Sequence, residues 1–113
     1  MTLRPARDSA SRVVALDYEI AQEQAAALGR LGRALEAALA ALSEYDRDRS
    51  PSGESDATRS NLVQDASDVL WYFMVQRESI GLRDPRPILR GYRVPAEVQN
   101  RMGAFSGRRR ASA

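Results

Sequence analysis

Between residues 11 and 46 the apolar positions follow a 3-4 alternation. Val14, Ala21, Leu28, Leu35 and Leu42 recur every seven residues, with Leu31, Ala38 and Tyr45 on a companion line. This is the seam of a helix that packs along a partner helix. Ala, Leu, Glu, Gln and Arg dominate the stretch, no Pro interrupts it, and Ser9 or Ser11 can cap its start, so one long helix is expected over 11–46. Traced backwards, the companion line meets Gln24 and Asp17, whereas Val13, Leu16, Ile20 and Ala27 offer a neighbouring apolar face. A four-residue stutter shifts a seam sideways in this manner. Within the helix, Gly29 and Gly32 each cost roughly 1 kcal/mol of propensity relative to Ala. Either a close crossing or kink there admits a bulky partner such as Trp71, or the glycines are merely tolerated in a strong helix.

Residues 46–60 are rich in Ser, Asp, Gly and Pro and nearly free of apolar side chains, the signature of a solvated loop, expected over 47–57. A second helix is expected over 58–80, with Gly81 as its left-handed terminator and Leu82 folding back on the last turn. Leu62, Ala66, Val69, Phe73 and Ile80 form one stripe at helical spacing, with Val63, Leu70 and Met74 beside it. Its centre, VLWYFMV at 69–75, is apolar for seven consecutive residues, nearly two turns, and is expected to be enclosed on all sides. The same run could be a buried strand, but its flanks are polar, free of Pro and helically phased.

Beyond residue 83, Pro and Gly occur in the order that short helices use. Asp84 can cap a turn that opens at Pro85 and ends at Gly91, and Pro95 can open another that Gly103 ends. Ile88, Leu89, Tyr92, Val94, Val98, Met102 and Phe105 supply apolar anchors across the hairpin. The domain plan is thus a flexible N-terminal tail over 1–10, a single helical domain over 11–105 with short helices within 84–104, and a disordered basic tail over 106–113. At 1.5 Å per residue the first helix is about 54 Å long and the second about 36 Å, so neither covers the other. The expected fold is all-α, a long antiparallel αα-hairpin with short C-terminal helices, completed as a four-helix arrangement by a second copy. Leu31, Leu35, Leu42, Tyr45, Trp71, Tyr72 and Val75 are the residues expected to associate. A monomer whose third helix folds over that face is the alternative.

Composition narrows the chemistry. With 113 residues the chain is one small domain, and 43% apolar with 28% charged residues places it among ordinary globular proteins rather than disordered ones. Cys and His are absent, which removes disulfides, thiolate nucleophiles, imidazole bases and the usual zinc sets. All 17 basic residues are Arg and Ala is abundant, a usage that suggests a GC-rich bacterial genome. No apolar core of signal-peptide length opens the chain and no apolar run approaches the roughly 20 residues that span a bilayer. A soluble cytoplasmic protein without a membrane partner is expected. The net charge of +2 is unevenly spread, with acidic helices followed by a basic final third.

Glu19 and Glu23 stand four apart on one helix, and Asp65 and Asp68 three apart on another, so the four are the candidate Mg²⁺ ligands. The segment DASDVLWYFMVQRESIGL is similar to the second metal-binding helix of the all-α nucleotide pyrophosphohydrolases of the MazG type, which implies a Mg²⁺-dependent pyrophosphohydrolase. That family also carries Glu-Glu-x-x-Glu upstream, whereas this chain has only Glu19 and Glu23 and an isolated Glu36. The acids are therefore read as solvated helix faces, with no cofactor and no enzymatic activity expected. Over nearly its whole length the chain also resembles small uncharacterised bacterial proteins with a YEIAQE start and a GLRD, YRVPAEV and RMG ending, a family that implies no activity. Arg83, Arg86, Arg90, Arg93, Arg101 and Arg108 to Arg110, with Tyr92 among them, could contact phosphates. The acidic hairpin opposes a polyanion and no nucleic-acid-binding motif is present, so nucleic acid is not the expected partner. The sequence reads best as a helical interaction or scaffold module, a homodimer with a possible unidentified protein partner.

Overall fold

The computed structural model describes residues 3–48 and 56–103. Four helices follow in order: α1 (Leu3–Asp48), α2 (Asp56–Ser79), α3 (Arg86–Gly91) and α4 (Ala96–Arg101). The described chain is all-α. The first helix begins at Leu3, so most of the segment expected as a flexible tail is helical. The connecting loop at 49–55 and the C-terminal tail lie outside the described residues.

The two long helices form an antiparallel hairpin. Asp46 meets Arg59 at the loop end, and Gly32 lies against Phe73 further along. Continuing this register places Ser79, the last residue of α2, opposite about residue 26. At 1.5 Å per residue α1 measures about 69 Å and α2 about 36 Å, in keeping with a molecule whose longest dimension is 80 Å. The first half of α1 therefore projects beyond the hairpin.

The core draws Leu35 and Leu42 from α1, Val63, Ala66, Leu70, Phe73 and Met74 from α2, and Val94 and Val98 from the C-terminal segment. Leu28, Leu31, Ala38, Leu39 and Tyr92 border it, half-buried. The seven-residue line of α1 thus enters the core as its spacing predicts, but only from Leu28 onward. On α2 the stripe through Val63, Leu70 and Met74 is the more deeply buried of the two.

VLWYFMV is enclosed on one side rather than all round. Leu70, Phe73 and Met74 are buried, whereas Trp71, Tyr72 and Val75 are 39%, 52% and 44% exposed. Two neighbours, α1 and α4, cannot cover every direction of a helix.

The chain leaves α2 through paired hydrogen bonds. Leu82 N–H donates to the Arg77 carbonyl at 2.9 Å and Gly81 N–H to the Glu78 carbonyl at 3.0 Å, with Gly81 at φ +89°. This is the expected left-handed terminator. The same pattern ends α3, where Val94 N–H donates to Leu89 and Arg93 N–H to Arg90. There the left-handed residue is Arg93, at φ +53°, and not Gly91.

The last helix is pinned to α2 by polar contacts as well as by Val98. The buried Ser67 hydroxyl lies 2.8 Å from both the Val63 and Val98 carbonyls. Its single proton is shared between a turn of α2 and the chain packed across it. Arg101 Nη1 donates to the Ser60 carbonyl at 3.1 Å and to its hydroxyl at 2.9 Å.

Candidate functional site

Among the described residues none packs on the projecting half of α1. From Ser9 to Ala26 every residue is exposed except the half-buried Gln24, although the stretch is rich in large apolar side chains. Val13, Val14, Leu16, Tyr18 and Ile20 are between 48% and 68% exposed. Isolated apolar surface residues are ordinary, but five within eight positions make a continuous patch of the kind that marks an interaction site. Val14, Ala15, Tyr18 and Gln22 border a shallow open groove on it.

The residues expected to associate divide into two groups. Leu35 is fully buried and Leu42 is 3% exposed, so both are committed to the hairpin core and have no surface to offer a second copy. Leu31 and Tyr45 are half-buried. The reason is that α2 and the C-terminal segment reach this part of α1. Trp71, Tyr72 and Val75 remain accessible on the outer face of α2. Trp71 is partly covered by the turn at Gly103, where a Cβ would lie 3.5 Å from its ring.

A cleft of about 550 Å³ separates α1 from the α3–α4 connection, bordered by Glu36, Leu39, Asp46, Tyr92, Arg93 and Glu97. Its acidic rim is neutralised from one end. Arg59 Nε donates to Asp46 Oδ1 at 2.7 Å and Nη2 to Glu97 Oε1 at 2.6 Å, so one guanidinium joins α1, α2 and α4. The hydrogen bonds to Glu97 and Asp46 raise the Arg59 pKa, and the hydrogen bond from Arg59 lowers that of Glu97. Glu97 is held as a carboxylate at neutral pH, which suits a structural tie and not a general acid. The left-handed Arg93 also borders this cleft. Nothing packed around it explains why this position lacks a glycine.

The four candidate metal ligands are not brought together. Glu19 and Glu23 stand on the projecting half of α1, Glu23 paired at 3.6 Å with Arg30 of the same helix. Asp65 is exposed on α2, and Asp68 is buried, accepting a 2.9 Å hydrogen bond from Gln64 Nε2. Among the described residues no three carboxylates gather as a metal site would require. The antiparallel register places Asp65 and Asp68 beyond Leu35, far from Glu19.

Of the candidate basic residues, some are engaged by neighbours. Arg101 is used on Ser60, and Arg86 Nε bonds Asp84 Oδ1 at 2.9 Å, an interaction that lowers the Asp84 pKa to about 2. Arg83, Arg90 and Arg93 are exposed, and Arg108 to Arg110 fall outside the described residues. No described helix is long and apolar enough to cross a membrane.

Sequence reasoning missed the Arg59 tie, because Glu97 lies 38 positions away and no spacing rule links them. For a close crossing at Gly29 and Gly32 it offered Trp71 as an example of a bulky partner, with tolerated glycines as the alternative. At Gly32 the neighbour is Tyr92, whose hydroxyl stands 2.6 Å from where a Cβ would be. An aromatic following Gly91 in a turn was a visible but unspecific signal.

A family model described as a family of unknown function (DUF6665) matches residues 2–110. No curated protein matches the chain, and no solved structure does. The local similarity to MazG-type enzymes finds no support in these comparisons.

Proposed function

The chain belongs to the DUF6665 family, a family of unknown function, and on its own residues we propose that it is a non-enzymatic helical interaction module that pairs with a second copy of itself. The observation that supports this reading is the projecting half of α1, with Val13, Val14, Leu16, Tyr18 and Ile20 about half exposed or more. In proteins most helical stability comes from the packing of an apolar face rather than from propensity. Burying an apolar stripe supplies what propensity alone does not. The exposed Trp71, Tyr72 and Val75 offer a second apolar surface on α2. Closed two-fold dimers are the commonest homo-oligomers.

Light scattering after size exclusion tests the reading. Twice the 12.5 kDa chain mass is expected at micromolar concentration. A clean monomer would overturn it, as would release of pyrophosphate from a nucleoside triphosphate or submicromolar binding of DNA or RNA at physiological salt.

A further inference from the structure

Resting on that reading of self-association, we propose that the interface is an antiparallel pairing of the projecting halves of two α1 helices, related by a two-fold axis level with Ala15. The partner's arm takes up the same face of α1 where α2 stops.

Continuity of the face is the first support. About 18 residues make five turns at 3.6 residues per turn, so Val13, Ile20 and Ala21 point in the directions of Leu31, Ala38 and Leu39. Those three border the hairpin core. The surface that α2 covers from Leu28 onward thus runs on, uncovered, as far back as Ser9. An antiparallel partner is collinear with α2, which is itself antiparallel to α1.

The register is set by the sequence. On the arm, Leu3, Ala6, Ala10, Val13, Ile20 and Ala27 lie on a line that steps by three and four and is interrupted only by Asp17 and Gln24, close to the spacing of a paired-helix seam. In an antiparallel pair about residue 15, position 10 meets the partner's Ile20 and position 13 meets the partner's Asp17. The flanking Val14 and Leu16 each face their own symmetry mates, so the four large apolar residues between 13 and 20 that lie on this side are enclosed together. The same register sets the partner's Leu3 opposite residue 27, where its first turn meets the end of α2 opposite about residue 26, so the arm matches the uncovered face to within about one turn.

Charge favours the same orientation. In the sequence, residues 3–12 hold Arg4, Arg7, Arg12 and Asp8, whereas residues 13–26 hold Asp17, Glu19 and Glu23 with no Arg. Antiparallel pairing sets the basic half of each arm on the acidic half of its mate. A parallel pair would oppose like with like and set Asp17 directly against its own copy, which is unfavourable.

The chain has no Cys, so single substitutions report on the pairing cleanly. Ala10→Cys and Ile20→Cys, both at exposed positions, are mixed in the reduced form, oxidised, and resolved by mass spectrometry. The heterodisulfide is expected to exceed either homodisulfide by roughly tenfold or more, because like positions stand about 15 Å apart along the axis, beyond disulfide reach. Homodisulfides at both positions would show a parallel pair and overturn the proposal. A chain of twice the mass that forms none of these links uses another surface, such as Trp71, which overturns this interface and leaves self-association standing. A monomer overturns both and leaves the face to a different partner.

Discussion

At Gly32 the missing side chain is what lets Tyr92 lie against α1. A Cβ there would sit 2.6 Å from the Tyr92 hydroxyl, while the next atoms, Tyr92 Cζ and Phe73 Cζ, are at ordinary contact distances of 3.7 and 3.8 Å. Tyr92 is not free to swing, since it meets Phe73 edge to face at 5.9 Å. At Gly29 the nearest foreign atom is the end of the Arg33 side chain at 3.4 Å, which can move. Two glycines three residues apart thus differ in kind. Gly29→Ala is expected to stabilise by up to about 1 kcal/mol through helix propensity. Gly32→Ala is expected to destabilise by about 1 kcal/mol, overpacking outweighing the same gain. In a Tyr92→Phe background the clash is gone and Gly32→Ala should become stabilising. Urea unfolding of the native chain and the four variants checks the set, and a stabilising Gly32→Ala in the native background would show that Tyr92 yields freely.

Among the elements, Arg59 with Asp46 and Glu97 forms a polar tie shared by three helices. Glu97 is 44% and Asp46 41% exposed at the side chain, so solvent screening keeps the tie small, and Arg59→Ala is expected to destabilise by roughly 1 kcal/mol. Its pH dependence has a definite sign. The folded pKa of Glu97 is depressed by Arg59, so its contribution is fully present above the unfolded carboxylate value near 4 and is lost as pH falls through the folded one. Asp84, lowered to about 2 by Arg86, follows the same direction. The urea midpoint should fall between pH 5 and 3, and Glu97→Gln should flatten that fall; an unchanged slope would show that the tie is absent in solution. The helices themselves were legible in the sequence because periodicity, Pro and Gly state them locally: the seven-residue line of α1, the terminator at Gly81, the short segments after residue 84. What Leu35 and Leu42 would touch was not legible, because spacing gives the face of a helix and not its neighbour. The start of α1 was misplaced for a related reason. Leu3, Ala6 and Ala10 keep helical spacing, but only Leu3 is large, and Ser9 and Ser11 offer caps further on, so only the continuity of the helix carries the assignment back to Leu3. Of the candidate site, the apolar residues of the arm were visible as a face from Val13 to Ala27, but their exposure follows from where α2 ends, which depends on the loop register.

For the molecule as a whole, the hairpin core and the projecting arm are separable in composition, since every buried core residue lies at or beyond Leu35. Removing residues 1–26 should therefore leave a folded hairpin that unfolds cooperatively and retains the near-UV signal of Trp71. It should also abolish self-association. The two states then differ in their response to concentration. A dimer that forms only between folded chains raises its melting temperature as protein concentration increases, by mass action, so the full chain should show that rise and the truncated one should not. Dilution of the full chain should in addition lower the far-UV helix signal before the Trp71 signal changes, because an unpaired arm is a helix without tertiary support. A truncated chain that still runs at twice its own mass would locate the interface on Trp71, Tyr72 and Val75 instead. Trp71→Asp then decides between the surfaces: it dissociates a pair built on α2 and leaves a pair built on the arm intact.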